Sequence, residues 1–380
     1  MAGIYIHIPF CRQKCHYCNF FSAASQKLKE PLLKALVTDI RQNSDYLAAE
    51  SVSTIYFGGG TPSLLSAEEI TTILKSITST FPVAPGAEIT LEANPDDLSD
   101  AYLNDIRQTG ITRLSIGVQS FSDHDLIKLN RTHTASRVHT VLSSLTASVA
   151  PFPSFSIDLI YGIPEMTDER WKQNIEIAIG YGIPHISAYA LTVEEKTPLS
   201  WMIEKGRFPV VSPEQASRQY AIMTETLKNA GYEHYEVSNF CKPGCWSRHN
   251  SGYWKNVPYL GTGPSAHSYN GTARRWNVSN ISEYINKISH GEKAFEEETL
   301  TLTQRYNEYV MTGLRTMWGC DAGYIRNEFG SDFFDHFMKK TPRYLAAGRM
   351  IINGSGCYSL TDEGMLFADG IAVDFFREDR

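Results

Sequence analysis

The sequence predicts an α/β fold: a partial (βα)6 barrel, then an accessory α+β region, then a helical C-terminal domain with a small hairpin. Three observations predict it. Short apolar runs alternate with helix-period stretches six times between residue 4 and about residue 200, which implies right-handed crossovers and a parallel sheet. Several of these runs lack polar alternation, as strands covered on both faces do. Six units are too few for a standard eight-fold barrel but suffice for a curved, partly open one. At 380 residues, 42% of them apolar and 20% charged, the chain is long enough for two to three domains and excludes disorder. The divisions expected are 1–205, 206–300 and 301–380.

The six strands are expected at 4–8, 54–57, 88–93, 113–119, 154–161 and 185–191, all rich in Ile, Val, Tyr and Phe. Helices are expected between them at 28–48, 67–79, 99–109, 135–147 and 168–179. Ser66 ahead of Glu68 and Glu69, and Thr167 ahead of Asp168 and Glu169, supply capping hydroxyls and first-turn acids. Gly110 and Gly180 suit helix stops. Beyond the barrel, 213–229 reads as one amphipathic helix. Residues 231–275, rich in Gly, Tyr, Trp, Asn and His, read as irregular strands with ordered loops. Short helices follow at 304–316, 321–328, 333–340 and 342–347, then a hairpin from 350–353 and 357–360, and a last helix over 361–375.

That last group is winged-helix-like in outline. Its charge is mixed, without a basic face, and the whole chain carries 35 Lys and Arg against 42 Asp and Glu, a net charge of −7. No nucleic-acid partner is therefore expected, and packing or interaction is the role read for this domain. No apolar run approaches the ~18–20 residues of a membrane span. The N-terminus, MAGIYIHIPFCRQKC, lacks the regions of a signal peptide. Seven Cys, an odd count without an export signal, fit a reducing, cytoplasmic setting.

The sharpest chemical signal is Cys11-x-x-x-Cys15-x-x-Cys18, just after the first strand. One reading is structural zinc with His7 or His16 as fourth ligand. Iron–sulfur clusters normally take four Cys, so three thiolates in one loop would leave one iron of a 4Fe-4S cluster open to another ligand. With Tyr17 before the third Cys, the loop resembles that of the radical S-adenosylmethionine (SAM) superfamily, a TIM-like partial barrel in which SAM holds the open iron. Gly58-Gly59-Gly60-Thr61-Pro62 after the second strand resembles the superfamily's segment whose backbone holds the SAM amino group, with Gly60-Thr61 in place of its acid. Polar groups then fall at the ends of successive strands: Glu92, Gln119 and Asp158, with Arg131 in a turn after the fourth. A lone acid in an apolar strand is costly unless partnered. Together these groups surround the end of the sheet where parallel α/β folds place their sites. Glu92 and Asp158 suit SAM's ribose hydroxyls and cationic groups, Gln119 a hydroxyl or the adenine edge, and Arg131 a carboxylate.

Four stretches, Tyr5–Cys11, Gly58–Pro62, Leu114–Phe121 and Ile157–Pro164, resemble the oxygen-independent coproporphyrinogen III oxidase family within that superfamily. The resemblance covers nearly the whole chain and implies that Tyr5 and Tyr17 pack around the cofactor. Two departures separate the chain from the decarboxylating oxidase. Phe20 stands where that oxidase has a fourth Cys, and Cys11 follows the N-terminus at once, without the oxidase's long leading segment. His249-Asn250-Ser251-Gly252-Tyr253-Trp254 matches instead the HNxxYW signature of the family's heme-chaperone branch. It implies heme ligation by His249 under the rings of Tyr253 and Trp254. Cys241, Cys245 and His267 are nearby reserves, and Cys320 and Cys357 read as core residues. The first functional reading is thus a heme chaperone that binds a 4Fe-4S cluster, SAM and heme and delivers heme to acceptor apo-heme proteins, membrane-bound ones among them. The second is the SAM-dependent oxidative decarboxylation of porphyrinogen propionates. No catalytic residue is assigned in either.

Overall fold

Six strands in chain order form the spine of the structure, a computed structural model that describes residues 1–147 and 152–378. They are β1 (Ala2–Ile8), β2 (Val52–Gly59), β3 (Val83–Ala93), β4 (Arg113–Gln119), β5 (Ser154–Tyr161) and β6 (His185–Ala190). Each pairs in parallel with the next. Helices make the crossovers: α1 (Lys29–Gln42), α2 (Ala67–Thr80), α3 (Asp100–Arg107), α4 (Asp123–Lys128) with α5 (Ala135–Leu145), and α6 (Asp168–Gly180). Every residue of β2 from Val52 to Gly58 is buried, which is why these strands read as continuous apolar runs. Ser66 and Glu69 form a reciprocal capping box at the start of α2, and Thr167 caps α6 through the Arg170 amide. β4 and β5 have the expected bounds. α1 stops at Gln42, short of the expected 48, where the Asn43 side chain turns back onto the Asp39 carbonyl at 3.0 Å.

After α7 (Pro198–Glu204) and α8 (Pro213–Asn229) the chain adds strands to both ends of this sheet. β7 (Glu233–Glu236) and β8 (Asn239–Cys241) extend it antiparallel beyond β6. The helix α9 (Arg248–Trp254) leads to the opposite end, where β9 (Tyr259–Thr262) pairs in parallel with β1. β10 (His267–Tyr269), β11 (Ala273–Asn277) and, after α10 (Ile281–Ser289), β12 (Phe295–Thr299) continue it antiparallel. Among the described residues the result is a twelve-stranded sheet in the order β12-β11-β10-β9-β1-β2-β3-β4-β5-β6-β8-β7. The stretch 231–275, expected as irregular strands and loops, therefore holds a short helix as well. Asp39 ties the join: its buried carboxylate accepts from Thr262 Oγ1 on β9 and Tyr284 OH on α10, each at 2.6 Å. Gly261 faces β10 so closely that a Cβ there would lie 1.9 Å from the His267 carbonyl oxygen.

The C-terminal body comprises α11 (Leu302–Leu314), α12 (Ala322–Phe329), α13 (Ser331–Ala346), the hairpin of β13 (Met350–Ile352) and β14 (Tyr358–Leu360), then α14 (Asp362–Met365) and α15 (Ala368–Asp374). Tyr306, Val310, Phe337 and Phe375 are fully buried at its centre. Two expected helices are one here, because α13 runs through Pro342. The Met338 carbonyl, which Pro342 cannot bond, accepts from Thr341 Oγ1 at 3.1 Å instead. The single helix expected over 361–375 is broken at Leu366–Phe367. Cys320 is buried and Cys357 half-buried. Backbone bonds from Val237 to Arg315 and from Met317 to Tyr235, both 3.0 Å, join this body to β7 and its turn.

Candidate functional site

The chain leaves β1 at Ile8 and comes back beside itself: Cys11 N donates to Ala23 O at 3.0 Å, and Ala23 N to Pro9 O at 2.7 Å. The loop so closed carries Cys11, Cys15 and Cys18. Its far side is tied to the turn after α4, where Asn130 Nδ2 donates to Lys14 O at 2.9 Å and His16 N to Leu129 O at 3.3 Å. Arg131 Nη1 lies 3.2 Å from Cys15 Sγ, which ties the loop to the turn after α4 a third time. Burial, and then the neighbouring Cys15 and Cys11 thiols, push the Cys18 thiol up. His7 has both ring nitrogens occupied, by Tyr5 OH at 3.2 Å and Phe21 O at 2.9 Å, and His16 has one occupied, by Lys128 O. Among the described residues no three His, Cys, Asp or Glu side chains converge tightly enough to grip a single metal ion. All three cysteines line one cavity, a layout that suits a cluster with one thiolate per iron.

That cavity, of about 420 Å³, lies over the carboxyl ends of β2 to β6 and collects Tyr17, Gly59, Gly60, Thr61, Glu92, Gln119, Arg131 and Asp158 along with the three cysteines. Gly59 has a positive φ of 109°, and a Cβ there would sit 2.5 Å from the His7 ring, so the turn demands glycine. Glu92 accepts from Tyr56 OH at 2.8 Å and from Gly59 N at 3.1 Å, and burial raises its carboxyl from 4.5 to about 7. Asp158 is likewise raised by burial, to about 6, against the pull of the Ser187 hydroxyl. Neither acid has an ion-pair partner among the described residues. Arg131 Nη2 donates to Asn94 Oδ1 at 2.6 Å and Gly117 O at 2.8 Å, while its Nε is buried without a partner. Two buried acids short of a cation, beside a guanidinium short of an acceptor, fit a zwitterionic ligand that also carries a positive centre, as SAM does. Sequence reasoning missed Tyr56, Asn94 and Ser187, which line the same cavity. The signal for Tyr56 was its period-2 alternation with Ile55 and Phe57 in β2.

Tyr5 does not line this first cavity. It faces a second one, of about 590 Å³, together with Tyr253, Trp254, Tyr259, His267, Tyr269 and Arg274. Asn19 and Phe20 line both cavities, so the end of the cysteine loop is a shared wall. Phe20 is 63% exposed there. The helix α9 builds another wall. Ser247 caps it, and the His249 amide donates to Glu88 Oε1 at 3.0 Å. The His249 ring is buried, stacked 4.9 Å from Tyr56 and edge-on to Tyr253 at 5.0 Å. Burial lowers its pKa to about 3, so the imidazole is neutral, as a metal ligand must be. Both nitrogens are nonetheless occupied, Nδ1 by Thr54 Oγ1 and Nε2 by Tyr253 OH, each at 2.8 Å. Ligation from His249 would require this pairing to be broken. Cys241, fully buried with its thiol pushed up to about 12, and Cys245 line neither cavity.

Residues 5–184 match the model of the radical SAM superfamily, and residues 300–367 that of the HemN C-terminal domain. The chain is 34% identical to the heme chaperone HemW of Bacillus subtilis, over 100% of both chains. It is 37% identical to the heme chaperone HemW of Mycobacterium tuberculosis, over 74% of this chain and 73% of that one. Its fold is that of the coproporphyrinogen III oxidase HemN from Escherichia coli, with a TM-score of 0.84 and 22% identity, over 99% of this chain and 90% of that chain.

Proposed function

From the premise that the chain belongs to the heme chaperone HemW family of the radical SAM superfamily, we propose that it binds heme and hands it to apo-heme proteins. The observation that carries this reading is the end-to-end likeness to a heme chaperone, 34% over the whole of both chains. The geometry supports it: beside the cysteine-lined cavity stands a second one of about 590 Å³, within the ~300–1,000 Å³ usual for cofactor sites and walled by aromatic rings. Cys11, Cys15 and Cys18 would hold a 4Fe-4S cluster. Tyr17, Gly59, Gly60, Thr61, Glu92, Gln119, Arg131 and Asp158 would hold SAM. When bound, the cluster supplies an iron with an open coordination position. Tyr253 and Trp254 would cover the heme, and His249 fixes Tyr253 through its hydrogen bond. No helix among the described residues is long and apolar enough to cross a membrane. The proposed setting is the cytoplasm, where thiols stay reduced, and the proposed acceptors include membrane-bound apo-heme proteins.

The oxidase reading has the fold likeness to E. coli HemN behind it, but Phe20 occupies the position where the resemblance places that enzyme's fourth Cys. The test is anaerobic incubation of cluster-reconstituted protein with hemin plus an apo-cytochrome, and separately with coproporphyrinogen III. A Soret band that moves from the chain to the acceptor is the expected result. Conversion of coproporphyrinogen III without stable heme uptake would overturn the chaperone reading.

A further inference from the structure

The second cavity contains a better-placed iron ligand than His249, and it lies on the strands that reach β1 from the far end of the chain. His267 and Tyr269 are i and i+2 on β10, so they share a face. Ser268 between them is buried the other way, its hydroxyl accepting from Gly261 N at 2.9 Å. That shared face looks into the cavity. Tyr259 stands opposite Tyr269 on one neighbouring strand and Arg274 on the other. Two imidazoles line the cavity, and they differ in one respect that decides their use. His7 has both nitrogens in hydrogen bonds. His267 is exposed and neither of its nitrogens has a hydrogen-bond or ion-pair partner among the described residues.

A porphyrin also brings carboxylates. Arg274, across the sheet from Tyr269 and 43% exposed, is the cation that lines this cavity, and it pairs with Glu308 at 2.7 Å. Glu308 lies half-buried on α11, so Arg274 is held facing the cavity by a partner whose carboxyl burial pushes up and makes easier to displace as a counter-ion. Tyr259 and Tyr253, ring centroids 4.7 Å apart, supply an aromatic flank.

We infer that His267 is the axial ligand of the bound heme, with Arg274 receiving a propionate, and that His249 is a positioning residue which orients Tyr253. This assignment rests on the heme-chaperone reading. The bond formed is dative, from an imidazole nitrogen lone pair to iron, with no change of oxidation state. Partial cover by the cavity walls and then Arg274 lower the pKa of His267, so the ring is neutral and able to donate at neutral pH.

The experiment titrates the full-length, cluster-reconstituted protein with hemin and, in parallel, with metal-free protoporphyrin IX, in the wild type, His267→Ala and His249→Ala. Loss of a partner merely adjoining a metal ligand costs about 10–100-fold in affinity, so losing the ligand should cost at least about tenfold. His267→Ala is expected to lose that much hemin affinity and the histidine-ligated Soret and EPR signature, while protoporphyrin IX binds as in the wild type. Added imidazole should restore the signature. His249→Ala should weaken both porphyrins and keep the iron signature. A wild-type Soret band in His267→Ala, or its loss in His249→Ala alone, would overturn the ligand assignment and leave the chaperone reading standing. Wild type that takes up no hemin would overturn both.

Discussion

Replacing Glu92 with Gln removes a charge from the floor of the first cavity while keeping an acceptor for Tyr56. In the folded chain burial raises this carboxyl from 4.5 to about 7. A carboxyl whose folded value is raised contributes stability that is fully present below the unfolded value, near 4.5, and is lost as pH rises through the folded value, near 7. At ~1.4 kcal/mol for each tenfold change in proton affinity, that move corresponds to about 3 kcal/mol at pH 8. Glu92→Gln is therefore expected to stabilise the SAM-free protein by roughly 3 kcal/mol at pH 8 and by under about 1 kcal/mol at pH 5. The same change should weaken SAM, because the charge that destabilises the empty cavity attracts the sulfonium and ammonium groups. Wild-type affinity should accordingly rise with pH up to about 7 and then level off. Urea unfolding at the two pH values and calorimetry with SAM measure the two halves. A stability difference that is equal at pH 5 and pH 8 would refute the reasoning, since the buried carboxyl would then not be ionising in that window.

Replacing Cys11, Cys15 and Cys18 together by Ser should abolish iron–sulfur absorbance after anaerobic reconstitution, and iron content by colorimetry checks it. Asp158→Ala should weaken SAM in calorimetry with cluster content unchanged; equal affinity would make Asp158 a structural residue. Asp39→Ala strands the Thr262 and Tyr284 hydroxyls and should cost about 2–4 kcal/mol in denaturant unfolding. A cost below about 1 kcal/mol would mean the join between α1, β9 and α10 does not depend on it.

What could be read from the sequence was whatever local pattern fixes. The strands β4 and β5 are buried on both faces and bounded by turns, and their limits matched to the residue. The cysteine loop and the strand-end acids were also legible, because spacing alone puts them at one end of a parallel sheet. Signals failed where the determinant is distant. Strands of three to five residues such as β8 and β10 carry too little period to declare themselves. The helix α9 holds Gly252 and two bulky aromatics, poor helix formers held in place by its Ser247 cap, by Glu88 on β3 and by packing on β1, β2 and α11. Nothing local could show that both nitrogens of His249 are spoken for, since Thr54 lies 195 residues away. Tyr5 was expected beside SAM, and its place on the second cavity could not be read, since that cavity's far wall comes from β9 to β11.

The parallel pairing of β1 with β9 joins Gly3 to Tyr259 and Tyr5 to Gly261. One flank of the strand that leads into the cysteine loop is thus supplied by chain made 256 residues later. At ~5–20 residues per second, a ribosome that has finished β2 takes about 10–40 s more to make β9. Through that interval β1 is an unpaired sheet edge with three thiols beside it, able to template wrong partners or to be oxidised. Cluster insertion that precedes the arrival of β9 would meet an open loop; insertion that follows it would meet a walled one. A chain released before residue 262 would hold every residue that lines the first cavity, and would lack His267, Tyr269, Arg274 and Glu308 from the wall of the second.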